Sequence, residues 1–339
     1  MQINYAVITK LFSFTEIIHH KNYKFISHLF ELQINYAIKS NNLDIFIKQR
    51  YTYYETGGGR KMNNSNMTII DADNMQAYIV AKDNQFIKKS LYDLSLMEQR
   101  ILACAISTLD SRQELRENEM PVCQMRLSAF CELCGIERRG SVKYLKGVLK
   151  KLRDTSYWIQ KDDGTFTLFS WVAKAEIIDK KDNIIVWLSL DLKPYLLNLN
   201  SDFTEYKLPM ILRFTNKYSN MIFDLIYAEY RKTGYIYGVE RRYSSGTLKM
   251  SVEDMKLRVR VKKGEDGKLV HNNIKFVDLR IHMIEPAIED INKFTDIMVD
   301  VEYLMRGRKT EDILFHYRPK TKKELSNVPL FRGKRIESL

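Results

Sequence analysis

Two stretches far apart in the chain share one layout, and that recurrence limits the fold more than any other feature. "RLSAFCELCGI" (126–136) and "KMSVEDMKLRV" (249–259) each run from an apolar residue through a serine into a short helical pattern. After the first comes a turn at Gly135 and a longer basic helix, "RRGSVKYLKGVLKKLRD" (138–154). After the second comes "KFVDLRIHMIEPAIEDINKF" (275–294), again helical in its spacing. Each long helix is trailed by alternating apolar and polar residues, the period of strands. In the first copy the turns fall at Asp163-Gly164 and near Asp182-Asn183; in the second, one hairpin has Gly307 at its tip. Helix, turn, helix and hairpin, written twice, predict an α+β protein of two tandem winged-helix domains.

Each copy is led by a further helix. "LSLMEQRILACAIS" (94–107) carries Ser95 three residues before Glu98, a capping box. "FTNKYSNMIFDLIYAEYRKTG" (214–234) reads as an amphipathic helix capped by Thr215 and ended by Gly234. Ser128 is the expected cap of the short helix in the first copy. The long helix of the second copy is the most telling. At 100° per residue, Val277, Ile281, Ile284, Ile288 and Ile291 make one core-facing stripe. Lys275, Asp278, His282, Glu285 and Pro286 fall opposite, so the carbonyl that Pro286 leaves without a donor is expected to face water.

The charge balance says what such a scaffold would meet. The 339 residues carry a formal charge of +12, with 45% hydrophobic and 28% charged residues. A basic chain with a sizeable core favours a polyanionic partner, nucleic acid ahead of a membrane surface. No apolar run reaches spanning length. Arg138, Arg139, Lys143, Lys146, Lys150, Lys151 and Arg153 crowd one helix with no acidic residue among them, a composition for phosphate contact or for a solvated face. In the second copy Asn272, Asn273, Lys275, Arg280 and His282 lie at the start of the long helix. Arg and Lys pair with guanine edges and Asn with adenine, so this set fits major-groove readout. Arg280 lies beside the apolar stripe and has a second reading, a partner for a carboxylate at the core edge. Arg306, Arg308 and Lys309 surround Gly307, where a wing would meet phosphate or the minor groove.

Catalytic and metal chemistry find little support. Cys131 and Cys134 are spaced like half of a zinc site, but no second pair follows at ligand spacing, and both fall where a short helix packs. None of the six histidines forms the His-hydrophobic-His pair that a nicking enzyme needs. The expectation is a non-enzymatic protein without cofactor or metal. Residues 1–61 lack any sustained period, and "GGGRKM" (57–62) suits either a glycine linker or a translated ribosome-binding site ahead of a start at Met62. "QINYAV" (2–7) returns as "QINYAI" (33–38), a direct repeat in the DNA or an echo of low complexity.

"LSLMEQRILACAI", "FTNKYSNMIFDLI", "FVDLRIHMIEPAIEDIN" and "GRKTEDILFHY", in this order, resemble the Rep_3 family of plasmid replication initiators over residues 76–320. The resemblance implies a first winged helix (76–200) for dimerisation and DNA backbone contact and a second (201–320) for reading origin repeats. Residues 1–61 and 62–75 form an extension and lead-in, and 321–339 a basic tail. It places Lys275, Arg280 and His282 at base-reading positions, and it includes a proline at the position of Pro286. With no signal-peptide pattern and too few cysteines for a disulfide framework, the chain reads as cytoplasmic, and the resemblance implies three partners: double-stranded origin DNA, a second copy of itself, and host replication proteins such as a helicase or initiator. Two other function classes remain at this point, a rolling-circle nicking initiator or relaxase and a winged-helix repressor.

Overall fold

A computed structural model describes residues 78–329, apart from 161–162, 238–239, 260, 264–268 and 272–273. The expectations for residues 1–77, for Asn272 and Asn273, and for the last ten residues lie outside the described residues.

The first module opens with β1 (Ile79–Asp83), α1 (Asn84–Lys89) and β2 (Ser90–Leu91), followed by α2 (Leu96–Ser107). The expected capping box is present: Ser95 Oγ accepts from the Glu98 N–H, and Glu98 Oε2 accepts from the Ser95 N–H at 2.6 Å. Then come β3 (Val122–Arg126), α3 (Leu127–Leu133) and α4 (Ser141–Asp154). Gly135 and Gly140 both take positive φ, 65° and 82°, which lets the chain turn sharply before α4. Strands β4 (Ser156–Gln160), β5 (Phe166–Ser170), β6 (Val172–Ile178) and β7 (Asn183–Leu188) follow. They form two three-stranded sheets, β2–β4–β5 and β3–β7–β6, the second carrying the hairpin of the winged helix.

Ser128 does not cap α3. The helix begins one residue earlier, at Leu127, and both the N–H and the hydroxyl of Ser128 donate to the Asp182 carboxylate. Asp182 sits at φ 50° in the β6–β7 turn, and its own carbonyl accepts from the Leu127 N–H at 3.0 Å. The hairpin therefore caps the helix from a distance, satisfying first-turn N–H groups.

The next elements are β8 (Phe203–Lys207), α5 (Leu208–Leu212) and α6 (Ser219–Lys232). Strand β8 pairs antiparallel with β1, Ile79 opposite Lys207 through Asp83 opposite Phe203. A boundary at 200/201 would cut that two-stranded sheet, so β8 belongs with the first module. Helix α6 also departs from expectation. Only Glu229, Arg231 and Lys232 of its 14 residues escape burial, so it is a core helix and not an amphipathic one. Thr215 is not its cap either, because Tyr218 occupies that position and Thr215 is engaged elsewhere. On one side of α6, Asp224 takes a buried ion pair from Lys82 of β1 at 2.6 Å and a hydrogen bond from Tyr206 of β8 at 2.7 Å. Phe223, Tyr227 and Tyr230 continue as a run of ring contacts that reaches Tyr243 and Tyr317 of the second module. One helix thus serves both modules.

The second module is compact in sequence: β9 (Gly246–Ser251), α7 (Val252–Val259), α8 (276–294), β10 (Ile297–Arg306) and β11 (Lys309–Pro319). Ser251 Oγ accepts from the Asp254 N–H, the capping role its place in the repeat predicted. The sheet order is β9–β11–β10, and Gly307 turns the β10–β11 hairpin at φ 64°. The basic tail begins with order: α9 (Lys322–Ser326) has a Thr321/Glu324 capping box, and Arg318 holds the Glu324 carboxylate through two nitrogens, at 2.7 and 2.9 Å. Those bonds keep the Glu324 carboxyl well below the usual carboxylate range.

Candidate nucleic-acid interface

Helix α8 is not one regular helix. Phe276–Leu279 and Glu285–Phe294 are α-helical, and Arg280–Ile284 between them form a π-helical turn in which the Glu285 N–H reaches back to the Arg280 carbonyl. Pro286 explains where the turn lies. With no N–H, it cannot donate to the His282 carbonyl four residues earlier, and the ladder is already broken there. The freed carbonyl is not left to solvent as the wheel suggested. Asn216, ahead of α6, donates to it through Nδ2 at 3.1 Å.

The extra residue in that turn changes which side chains face the core. From Ile284 onward the stripe holds, with Ile284, Ile288 and Ile291 buried and Ala287 beside them. Before it the phase slips, and Leu279, five residues ahead of Ile284, is buried with no exposed surface. Val277 and Ile281, expected in the core, are instead 54% and 43% exposed. The front of the first turns therefore consists of Lys275, Val277, Asp278, Ile281 and His282, all exposed. Among the described residues neither Lys275 nor the His282 ring has an ion-pair partner.

The carboxylate partner of Arg280 is Glu285, which is exposed and not at the core edge. The Arg280 Nε lies 3.4 Å from Glu285 Oε1, close enough for an ion pair but not aligned for a hydrogen bond. Both charges are felt at Tyr303 of β10, whose hydroxyl burial pushes up to about 12, Glu285 adding to the rise and Arg280 opposing it. The Arg280 side chain keeps 41% of its surface in water, so it is shared between this pair and the front face.

Three contacts position α8. Asp290, buried on its core side, accepts from the Thr215 N–H at 2.7 Å, the Thr215 hydroxyl at 3.0 Å, the Asn216 N–H at 2.9 Å and the Ser219 hydroxyl at 2.6 Å. One carboxylate thus ties α8 to the start of α6. Asn292 exchanges two hydrogen bonds with the backbone of Val299 in β10, at 2.9 and 2.7 Å. Phe276 meets Tyr303 edge to face, ring centroids 5.3 Å apart. The last contact brings the front of α8 beside the β10–β11 hairpin. Arg306, Arg308 and Lys309 are exposed at the hairpin tip, and Arg306 has a loose ion pair with Glu311 at 3.6 Å.

The first-module cluster divides. Leu145, Leu149 and Leu152 bury one face of α4, which leaves Lys143, Lys146 and Lys150 exposed on the other, with Arg139 exposed ahead of the helix. Arg138 is committed: its guanidinium reaches Asp179 at 2.6 Å and Asp182 at 3.8 Å in the β6–β7 turn. Lys151 leans toward the buried Glu98 at 3.9 Å. Cys131 and Cys134 are packed in the core, and Cys104, beside Cys134, has its thiol pushed well up by that contact and by burial. Sequence reasoning missed Asn216, Asp290 and Asn292, the groups that orient α8; their partners lie in other elements, and no local pattern marks them.

Two helix-turn-helix units, each closed by a hairpin and sharing α6, define a tandem winged-helix protein. The chain belongs to the Rep3 initiator replication proteins: the family model for the first winged helix matches residues 79–227, and that for the second matches residues 251–317. It is 22% identical over 242 residues to a replication initiation protein of Escherichia coli, covering 71% of this chain and 70% of the relative. The crystal structure of the Pi initiator protein in complex with iteron DNA has the same fold, with a TM-score of 0.57 and 18% identity, over 73% of this chain and 99% of that one. Among the described residues no helix is long and apolar enough to cross a membrane.

Proposed function

We propose that this replication initiator binds direct repeats at a plasmid origin, the front of α8 reading base edges in the major groove. The observation that carries the reading is the exposed front of Lys275, Val277, Ile281 and His282, held beside a hairpin whose tip is basic. That is the pair of surfaces a winged helix uses, helix for sequence and wing for backbone. The family supports an origin target, and the structural likeness to an initiator crystallised with iteron DNA supports repeats as the site. Arg306, Arg308 and Lys309, with Arg139, Lys143, Lys146 and Lys150 on the first module, supply phosphate contact. The protein acts by binding and not by a covalent step. A second copy of the chain and the host helicase or initiator are its further partners, and it works in the cytoplasm.

The test is maintenance. A plasmid carrying the gene with its flanking DNA should replicate in a suitable host and be lost when Lys275 and His282 are both replaced by alanine. Metal-dependent nicking of supercoiled origin DNA by the purified protein would overturn the non-covalent reading.

A further inference from the structure

We infer that Val277 and Ile281 are specificity-determining residues that read thymine methyl groups in the major groove. The inference rests on the reading of α8 as the recognition helix and goes beyond its basic residues. The two side chains are 54% and 43% exposed, while Leu279, Met283 and Ile284 of the same helix are buried. Their exposure does not come from a loosely seated helix: Asp290, Asn292 and Phe276 fix it on three sides. It comes from the π-helical turn, which holds Ile281 itself and shifts the residues ahead of it out of the core phase.

Single exposed apolar residues need no explanation. These two lie about one turn apart on the same front as Lys275, Asp278 and His282. The exposed Arg306, Arg308 and Lys309 of the neighbouring hairpin tip suit this site to a polyanion, so the surface the front covers is DNA in preference to a second protein. In the major groove the one apolar feature on a base edge is the C5-methyl of thymine. A helical turn rises about 5.4 Å and successive bases about 3.4 Å. Val277 and Ile281 therefore suit two thymines one or two base steps apart. Lys275 and His282 beside them supply the polar contacts, and a duplex lacking the methyls would leave two apolar side chains facing nothing.

The test begins with a duplex selected by the full-length protein from a random-sequence library. Each thymidine is then replaced singly by deoxyuridine, which removes only the methyl. Two positions, one or two steps apart, should each weaken binding about fourfold, since a buried methyl contributes ~0.8 kcal/mol and tenfold corresponds to about 1.36 kcal/mol. With Val277→Ala one of those losses should vanish, and with Ile281→Ala the other; Val277→Thr, which keeps a methyl, should retain it. Both sites are exposed, so circular dichroism should show the variants folded. Selection without any preferred sequence would sink the recognition-helix reading itself. A preferred sequence with no uracil effect, or with one that persists in both alanine variants, would overturn the methyl assignment alone. So would a change in oligomeric state of either variant without loss of uracil sensitivity, which would make this front a protein interface.

Discussion

Asp290 is the residue whose removal has the most clearly defined cost. Its carboxylate is buried and accepts four hydrogen bonds, two from backbone N–H groups and two from hydroxyls, all within 3.0 Å. Asp290→Ala removes every acceptor at once. The hydroxyls of Thr215 and Ser219 can turn to other acceptors, but the N–H groups of Thr215 and Asn216 are fixed by the backbone. Each buried donor left unpaired costs about 1–3 kcal/mol, and the cavity adds to that. The sum is roughly 3–5 kcal/mol. For a unit of this size about 1 kcal/mol shifts the melting midpoint by ~2–4 °C, so the variant should melt ~6–20 °C lower. Asp290→Asn retains the volume and one acceptor and should fall between. Urea unfolding followed by tryptophan fluorescence, with the slope m unchanged, measures it. A loss under ~1 kcal/mol for the alanine variant would mean that water replaces the carboxylate and that α8 is not anchored this way.

Asn216→Ala should cost about 1 kcal/mol, and less in a Pro286→Ala background, because alanine at that position restores an N–H for the His282 carbonyl; a double-mutant cycle without coupling would refute the link between Asn216 and the proline. Removing Arg308, Lys309, Lys146 or Lys150 should lower the log–log salt slope of DNA binding by about 0.9 per lost phosphate contact, while Arg138→Ala, whose charge is engaged by Asp179 and Asp182, should leave it unchanged. Burial raises the Asp296 carboxyl, only partly offset by the Tyr227 hydroxyl that donates to it at 3.0 Å. A raised folded pKa means that ionisation disfavours folding: the penalty is fully present above the folded pKa and disappears as pH falls below the unfolded one. Asp296→Asn should therefore flatten the pH dependence of stability across that acidic window, and a variant with the wild-type profile would contradict the assignment.

Signals confined to a few neighbouring residues were legible. The Ser95/Glu98 box, the Ser251 cap, the turns at Gly135 and Gly307 and the alternation of β10 and β11 all follow from local chemistry. What failed depended on distant partners. The wheel put Val277 and Ile281 inside because it assumed 3.6 residues per turn throughout. Pro286 warned of a break, but the phase of the break is set with Asn216, which is 66 residues away from His282. Thr215 and Ser128 looked like caps because of their type, yet each serves a carboxylate brought in by tertiary structure, Asp290 and Asp182. Helix α6 looked amphipathic because Glu229, Arg231 and Lys232 gave it a polar end, and its burial on every other side needed both modules in place. Arg138 shows the limit for charge: its place in a basic run was readable, its ion pairs across the β6–β7 turn were not.

The central claim is that the front of α8 carries sequence discrimination. The direct measurement is the ratio of affinities for a selected duplex and a scrambled one, at a single salt concentration, for the wild-type protein and for Lys275→Ala/His282→Ala. A base-edge contact is worth about 1–3 kcal/mol of discrimination and little nonspecific affinity. The account predicts that the ratio falls by roughly tenfold or more while binding to the scrambled duplex changes little. An unchanged ratio, with both duplexes weakened equally or not at all, would contradict it and move the reading surface elsewhere on the protein.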